Sequence, residues 1–212
     1  MLYLTLLELN PRCRQVMSEC SNPYEMHRTL SKAFDEGHEE QQKARCLFRV
    51  EETESSKRVL VQSRIEPEWA KLTAPKEYLL RPPDVREFSP RFVIGQRLAF
   101  RLRANPTKRL GNSATTNVGK RVPLLKEEDR RDWLLRKAAA EGFSVIAVSV
   151  NAENNVTCDK SGRTAVFGSA RFDGVLQVTD VDLFLAALEG GVGTGKGFGF
   201  GLLSLARASS VG

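Results

Sequence analysis

The order in which strands and helices are predicted repeats along this chain of 212 residues, and the repeat limits which folds are open to it. In the first half, apolar runs and alternation predict strands over residues 2–9, 45–51, 58–64 and 77–80, and helices over residues 22–36 and 67–72. In the second half they predict strands over residues 97–103, 143–150, 164–178 and 200–206, and helices over residues 127–141 and 181–188. Each half therefore has the order β-α-β-β-α-β.

Two consecutive units of this order indicate an α+β chain with two tandem ferredoxin-like domains, an arrangement that many RNA-binding proteins share. Pro82 and Pro83 open a segment that reads as a short linker. We therefore expect an N-terminal domain over residues 1–84, a linker over residues 85–95 and a C-terminal domain over residues 96–212.

The composition excludes some classes of protein. Apolar residues make up 41% of the chain, which is enough for packed cores, yet no run of about 18 apolar residues could span a membrane. The apolar N-terminal stretch has no basic region before it and is interrupted by Glu8, so it predicts a strand and not a signal peptide. We expect a cytoplasmic protein with no membrane partner.

Residue types that commonly bind metals are scarce. The four cysteines show no C-x-x-C spacing, and the two histidines are His27 and His38. This pattern predicts neither a zinc site nor, in a cytosolic protein, disulfides, and we expect no metal and no cofactor. Any chemistry then depends on one or two histidines, of which His38, in a charged segment after Gly37, is expected to be solvated.

Positive charge is concentrated in one segment. The net charge is +6, and residues 88–126 contain nine Lys and Arg residues but no Asp or Glu. A block of one sign repels itself, whereas a solvated face normally mixes both signs, so the segment favours a polyanionic partner over a merely soluble surface. Residues 108–121 lack hydrophobic periodicity and are expected to become ordered when that partner binds.

Several signals agree on a helix that begins after Asn22. Asn22 can cap the helix, Pro23 occupies the first helical position, and Glu25 is placed to complete a capping box. The helix is expected to continue to residue 34 or 36 and to end at Gly37.

His27 lies on the polar side of this predicted helix. At about 100° per residue, Met26, Leu30 and Ala33 form the opposite, apolar stripe. The residues on the side of His27 are Tyr24, Arg28 and, at its edge, Lys32. A surface histidine is the simplest interpretation. A functional one is favoured by the nearby cation and hydroxyl, and by the first helical turns, whose N–H groups favour an anion.

Residues 190–201, which we call the glycine strip, have the sequence GGVGTGKGFGFG, in which seven of twelve residues are glycine. The spacing Gly190-x-x-x-x-Gly195-Lys196 matches most of a P-loop, but Gly197 stands where a P-loop has Ser or Thr. The strip also follows a helix and not a strand, and glycine at every second position does not fit G-x-G-x-x-G. Both nucleotide motifs are therefore disfavoured.

Glycine lets a backbone approach a phosphate closely and direct successive N–H groups at it. A flexible linker is the alternative, but linkers favour serine and lack interleaved apolar residues such as Val192 and Phe198. We therefore predict that the strip binds an anion. The residues expected to do so are Gly193, Gly195, Lys196 and Gly197.

Three strings together resemble one family. They are NPYEMHRTLSKAF at residues 22–34, FRLRANPTKR at residues 100–109 and GVGTGKGFGFGLLSLA at residues 191–206. The family is that of the CasE endoribonucleases, which process CRISPR repeats as subunits of the type I-E Cascade complex. The resemblance covers nearly the whole chain in the same order.

The resemblance implies a reaction and a set of roles. Such enzymes bind the stem-loop of a CRISPR repeat transcript and cut once at the 3′ base of the stem. A ribose 2′-hydroxyl attacks the adjacent phosphate and leaves a 2′,3′-cyclic phosphate and a 5′-hydroxyl. The resemblance implies catalytic roles for His27, Tyr24 and Lys32, a phosphate contact for Arg28, and repeat RNA and other Cascade subunits as partners.

The residue types fit this reaction by themselves. An imidazole can serve as base for the 2′-hydroxyl or as acid for the leaving oxygen, and the sequence leaves open which role His27 takes. No water needs activation, so we expect no metal requirement. The basic residues expected to grip the RNA are Arg101, Arg103, Lys108, Arg109, Lys120 and Arg121.

Two alternatives stay open at this point. One is a non-catalytic RNA-binding scaffold subunit of a CRISPR ribonucleoprotein with the same fold, in which His27 is incidental. The other is a nucleotide-dependent enzyme that uses residues 190–197.

Overall fold

In a computed structural model, which describes residues 1–34, 38–52, 57–72, 74–110, 119–160 and 163–208, two antiparallel sheets of four strands each form the frame of the chain. The first half contains β1 (Leu2–Leu9), α1 (Arg14–Ser21), α2 (Pro23–Ser31), α3 (His38–Ala44), β2 (Leu47–Glu52), β3 (Lys57–Ser63), a 3-10 turn (Trp69–Lys71) and β4 (Asp84–Phe88). The second half contains β5 (Arg97–Ala104), β6 (Thr107–Arg109), β7 (Arg121–Pro123), α4 (Glu127–Ala140), β8 (Phe143–Lys160), β9 (Arg163–Val178), α5 (Val181–Gly190), a 3-10 turn (Lys196–Phe198) and β10 (Leu203–Arg207).

Both large sheets have the strand order of a ferredoxin-like domain. The order is β2-β3-β1-β4 in the first sheet and β10-β5-β9-β8 in the second, so the first strand of each unit lies between the third and the fourth. The small β6–β7 hairpin is inserted between β5 and α4. The prediction of two tandem ferredoxin-like units is confirmed.

Apolar and basic residues alternate along strand β5, so one face of its sheet is apolar and the other is charged. Leu98, Phe100 and Leu102 are buried in the second core, with exposed fractions of 7%, 4% and 0%. Because successive side chains of a strand point to opposite faces, Arg101 and Arg103 lie on the other face of the same sheet. That face borders the first sheet.

Helix α2 begins where the sequence predicts. The Asn22 side-chain oxygen accepts a hydrogen bond from the Tyr24 N–H at 3.3 Å, and Pro23 occupies the first turn. Met26 and Leu30 are fully buried in the first core, as the apolar stripe predicts. Because the apolar stripe faces the first core, the opposite side of α2 faces away from it. His27 lies at the edge of that outer side and is half-buried.

The predicted capping box and the predicted length of α2 need correction. The Glu25 carboxylate pairs with Arg28 at 2.8 Å, and the Asn22 N–H donates to the Ser18 carbonyl of α1 at 3.0 Å. The Asn22 N–H, which Glu25 would accept from in a capping box, is therefore bonded to the carbonyl of a residue in α1. The helix ends at Ser31, and residues 35–37, where the predicted end falls, lie outside the described residues.

The fourth strand of the first sheet lies later in the chain than predicted. At residues 77–80 the structure has an isolated bridge between Leu9 and Leu79, whereas β4 at Asp84–Phe88 pairs with β1. The first four residues of β4 are exposed, so this edge strand lacks the one-sided apolar alternation that strand prediction uses. Residues 85–88 of the predicted linker therefore belong to the first sheet, and the domain boundaries stay a proposal.

Short helices were predicted less well than strands. Helices α1 and α3 were missed. The buried residues of α1 are Val16 and Glu19, one of them charged, and α3 has the sequence HEEQQKA, whose single apolar residue is an alanine. The helix predicted over residues 67–72 is a 3-10 turn. No helix in the described ranges is long and apolar enough to cross a membrane.

The two units are joined at the end of α5. Gln62 of β3 donates from Nε2 to the Leu188 carbonyl at 2.8 Å, and the Arg45 guanidinium donates to the Gly190 carbonyl at 2.8 and 3.2 Å. Arg64 also forms an ion pair with Glu189 at 3.3 Å. The first unit therefore holds the point at which the glycine strip begins.

We predict that Tyr78→Phe destabilises the first unit. The buried Tyr78 hydroxyl donates to the Glu19 carboxylate, which also accepts hydrogen bonds from Thr29 and Gln15. Since a hydrogen bond to a charged group contributes about 1.5–3 kcal/mol, the free energy of unfolding in urea should fall by about that amount.

Tyr3→Phe is the matched control for this variant. The Tyr3 hydroxyl makes no hydrogen bond with another described residue, so its removal should change the free energy of unfolding by less than about 0.5 kcal/mol. Equal losses in the two variants would contradict the role given to the Glu19 network.

Candidate active site

His27 lies in the second turn of α2 with a half-buried ring. Its Nδ1 is 3.4 Å from the Ser31 hydroxyl, which also donates to the His27 carbonyl at 2.7 Å. The Phe48 ring of β2 lies 6.3 Å from the imidazole, measured between ring centroids. The ring is therefore held against an apolar wall, next to a hydroxyl on its own helix.

The glycine strip reaches the opposite edge of this ring. A Cβ added to Gly197 would lie 3.5 Å from Cδ2 and 3.6 Å from Nε2 of His27, so backbone and ring are in close contact. Gly195 and Gly199, on either side of the turn, have φ values of 79° and 80°, in the left-handed region that glycine adopts without strain. The strip can therefore turn sharply where it meets α2.

A cavity of about 210 Å³ lies at this contact. Its lining residues are His27, Gln42, Arg45, Cys46, Leu47, Lys196 and Gly197. It thus contains an imidazole, two cationic side chains and the backbone of the strip, drawn from both halves of the chain. Among the described residues, no group of three or more His, Cys, Asp or Glu side chains is placed to hold a metal ion.

Burial lowers the pKa of His27 below its ordinary value. The cause is loss of solvation, which disfavours the charged imidazolium more than the neutral ring. The imidazole is therefore neutral near pH 7 in the free protein and can accept a proton.

The cations in the cavity repel each other. Burial lowers the pKa of Lys196 from its ordinary value, and the Arg45 guanidinium lowers it further, while the Glu141 carboxylate acts in the opposite direction. A bound anion would relieve both the desolvation and the repulsion. The electrostatics of the cavity therefore favour a bound anion.

Other residues predicted for the site lie around the cavity and not in its lining. Tyr24 is half-buried in the first turn of α2, and Lys32 is exposed directly after the helix. The Arg28 side chain is 66% exposed and is paired with Glu25. All of these residues lie on or next to α2.

Two predicted glycines shape the strip and do not line the cavity. A Cβ on Gly193 would lie 2.9 Å from the Trp133 ring, and one on Gly195 would lie 3.0 Å from Phe200. Larger residues would force the strip away from the second core. Gly193 and Gly195 thus act through packing, whereas Lys196 and Gly197 border the cavity.

Arg101 and Arg103 were predicted to grip RNA, but carboxylates occupy their guanidinium groups. Arg101 pairs with Asp173 at 2.5 Å and with Glu51 of the first sheet at 3.4 Å. Arg103 pairs with Glu153 at 2.6 Å. A cleft of about 470 Å³ between the two sheets is lined by Arg101, Glu51, Arg103 and Glu153. These contacts join strands and sheets, and the RNA contact predicted for Arg101 and Arg103 stays a prediction.

The β6–β7 hairpin carries cations that are exposed to a partner. They are Lys108, Arg109, Lys120 and Arg121. Arg109 lies directly opposite Arg121 in the register, and like charges in such a pair destabilise a hairpin. Residues 108–121 were expected to become ordered on binding, and the two ends of this segment form the hairpin. Residues 111–118 lie outside the described residues.

Sequence reasoning missed four residues that line the cavity: Gln42, Arg45, Cys46 and Leu47. Arg45 was assigned to the start of a strand, and no local signal marks a residue whose partner lies 145 positions later. Burial raises the pKa of Cys46 to about 12, so its thiol stays protonated and is not a nucleophile at neutral pH.

Comparison with known proteins agrees with this geometry. The family described as CRISPR associated protein matches residues 2–207. The CRISPR-associated endoribonuclease Cse3 of Thermus thermophilus is 37% identical over 97% of this chain and 100% of its own length. The Cascade subunit CasE of Escherichia coli is 36% identical over 53% of this chain and 59% of its length.

A solved structure shares the whole fold. Thermus thermophilus Cse3, bound to an RNA representing a pre-cleavage complex, superposes with a TM-score of 0.82, at 37% identity, over 97% of this chain and 99% of that one. The chain belongs to the Cse3/CasE family of CRISPR-associated proteins.

We predict that His27 titrates below pH 6.5 in the free protein. An NMR titration of the ring protons should give a pKa beneath the ordinary value, with His38→Ala used to assign the two histidines. Because the unfolded state then binds the proton more tightly, the contribution of His27 to stability should fall as the pH drops below about 6.5. A His27 pKa above 6.5 would contradict the desolvated site.

Proposed function

We propose that this chain binds the stem-loop of CRISPR repeat RNA and cleaves it at the 3′ base of the stem, with His27 as general acid or base and without a metal ion. The observation that carries the proposal is the cavity in which the His27 ring meets Gly197 beside Lys196. The full-length similarity to an endoribonuclease whose structure holds an RNA before cleavage supports the substrate class.

The reaction is a transesterification within the RNA. The 2′-hydroxyl oxygen forms a bond to the adjacent phosphorus, and the bond from phosphorus to the 5′-oxygen breaks. One proton leaves the 2′-hydroxyl and one joins the 5′-oxygen, which gives a 2′,3′-cyclic phosphate and a 5′-hydroxyl. A neutral His27 can accept the first proton, and its cation can donate the second. Such catalysis contributes roughly 10²–10⁴-fold.

The nucleophile belongs to the substrate, so no water has to be activated. The remaining requirement is to stabilise the negative charge that builds up on the phosphate, which fixed donors in a desolvated site do well. Lys196 and the N–H groups near Gly197 border the same cavity as His27. We assign them this role, and for this reason we propose a reaction that is independent of metal ions.

Residues outside the cavity are assigned supporting roles. Tyr24 and Lys32 flank His27 along α2, where they can contact the scissile nucleotide or its neighbour. Arg28 would exchange its exposed ion pair with Glu25 for a phosphate at little cost, because exposed pairs contribute about 0–1 kcal/mol.

The β6–β7 hairpin is the proposed grip on the stem. Its exposed residues Lys108, Arg109, Lys120 and Arg121 can contact closely spaced phosphates of an A-form helix. A phosphate between Arg109 and Arg121 would remove the repulsion across the hairpin. Similarity to the Cascade subunit CasE supports other Cascade subunits as partners.

We predict cleavage of the cognate repeat RNA in EDTA without nucleotide, with a 2′,3′-cyclic phosphate on the upstream product. His27→Ala should reduce the single-turnover rate by about 10²-fold or more and leave RNA affinity nearly unchanged, because the ring serves proton transfer. The measurement is gel analysis of end-labelled RNA combined with chemical analysis of the product ends.

Two controls accompany this experiment. A 2′-deoxy substitution at the nucleotide before the cut should abolish cleavage and spare binding, and His38→Ala should cleave like the parent. Full cleavage by His27→Ala would refute the catalytic assignment. Tight binding with no cleavage by the parent would instead support the scaffold alternative.

We predict that Arg109→Gln and Arg121→Gln each weaken RNA binding and lower the slope of log affinity against log salt by about one. The reason is that each residue releases counterions when it contacts a phosphate. Arg86→Gln, which removes the same charge from the edge strand β4, should leave the slope unchanged. A slope equally sensitive to all three variants would contradict the assignment of the hairpin.

A further inference from the structure

Arg45 has an unusual backbone conformation. Among the described residues, Arg45 alone of the non-glycine residues has a positive φ, at 47°. A side chain in the left-handed region costs free energy and persists where the surroundings demand it, often at functional sites. The residue joins α3 to β2, directly before two residues that line the cavity.

The hydrogen bonds of the Arg45 side chain help to hold its backbone in this conformation. Its Nε and Nη2 donate to the Gly190 carbonyl at 3.2 and 2.8 Å. Gly190 is the last residue of α5 and the first of the glycine strip, and a helix C-terminus leaves such carbonyls without intrahelical partners. Arg45 therefore ties the beginning of the strip to the unit that carries His27.

This contact leaves much of the guanidinium unused. Arginine has five N–H groups, and the bonds to Gly190 use two, so Nη1 and one N–H of Nη2 remain. The same side chain lines the cavity with His27 and Lys196. Remaining donors on a planar guanidinium are suited to the oxygens of a phosphate.

We propose that Arg45 binds the scissile phosphate in the His27 cavity while it holds the glycine strip through Gly190. This inference rests on the proposed function and adds a residue to it. One guanidinium then positions both the phosphate and the strip whose N–H groups surround it. Because arginine is charged at every working pH, its contribution does not depend on the protonation of His27.

The contact should matter most when charge builds up on the phosphate. RNA affinity is dominated by many contacts along the stem, whereas this one acts on the reacting group. Removing the Arg45 side chain should therefore reduce the rate of cleavage far more than the affinity. If Arg45 only tied the strip to the first unit, a free guanidinium ion, which is not attached to the chain, would not restore the cleavage rate.

The test is Arg45→Gly, since glycine adopts a φ of 47° without strain and the variant keeps the backbone conformation. We expect the single-turnover rate with excess enzyme to fall by about 10²–10³-fold, with the dissociation constant of the RNA changed by only a few-fold. Guanidinium chloride at low millimolar concentration should raise the cleavage rate of this variant at least about tenfold, whereas sodium chloride at equal ionic strength should not. Arg45→Lys should recover part of the rate, because it returns the charge without the planar fork.

Arg64→Gln is the matched control. Arg64 joins the same end of α5 through Glu189 but does not line the cavity, so its variant should cleave at the parent rate. The proposal fails if Arg45→Gly cleaves like the parent, if its loss does not respond to guanidinium, or if Arg64→Gln loses as much. If the parent protein itself does not cleave the RNA, the proposed function fails as well, and the two failures are thereby distinguished.

Discussion

The carbonyl groups at the end of α5 take their hydrogen bonds from side chains of the first unit, and the position of the glycine strip depends on these bonds. Gln62 donates to Leu188, and Arg45 donates to Gly190. A buried carbonyl that loses its partner costs about 1–3 kcal/mol, so the helix end cannot easily leave the first sheet. The strip therefore starts at a fixed point and meets the ring of His27 at Gly197.

The strip packs on one side and is polar on the other. Phe198 stacks on Phe167 of β9 with ring centroids 4.6 Å apart, and Gly199 lies against Phe48. These apolar contacts hold the strip, together with backbone hydrogen bonds such as those from the Val192 N–H to Gly201 and from the Gly201 N–H to Arg103. Lys196 and Gly197 of the strip line the cavity together with the His27 imidazole, which is neutral near pH 7. One short segment therefore both packs against aromatic rings and lines the cavity.

The fold divides a basic segment that is continuous in the sequence. Arg101 and Arg103 lie on the face of the second sheet that borders the first, where carboxylates neutralise them. The buried Arg49 completes this interface by pairing with Glu51 and donating to the carbonyls of Arg101 and Leu202. The cations of the β6–β7 hairpin stay exposed. Neighbouring residues of one basic segment therefore differ: Arg101 is paired with carboxylates at the interface of the two units, whereas the hairpin cations are exposed.

The sequence by itself determined the features that depend on neighbours along the chain. Alternation in β5, the start of α2 at Asn22 and the end of α4 before Gly142 all follow from residues a few positions apart, and so does the order of the strands and helices that define the second unit. Only the tertiary structure decided the rest. The edge strand β4 forms because β1 offers it hydrogen bonds, and Arg45 enters the site because the end of α5 comes to it. Such partners are distant in sequence, and no local pattern of apolar or charged residues records them.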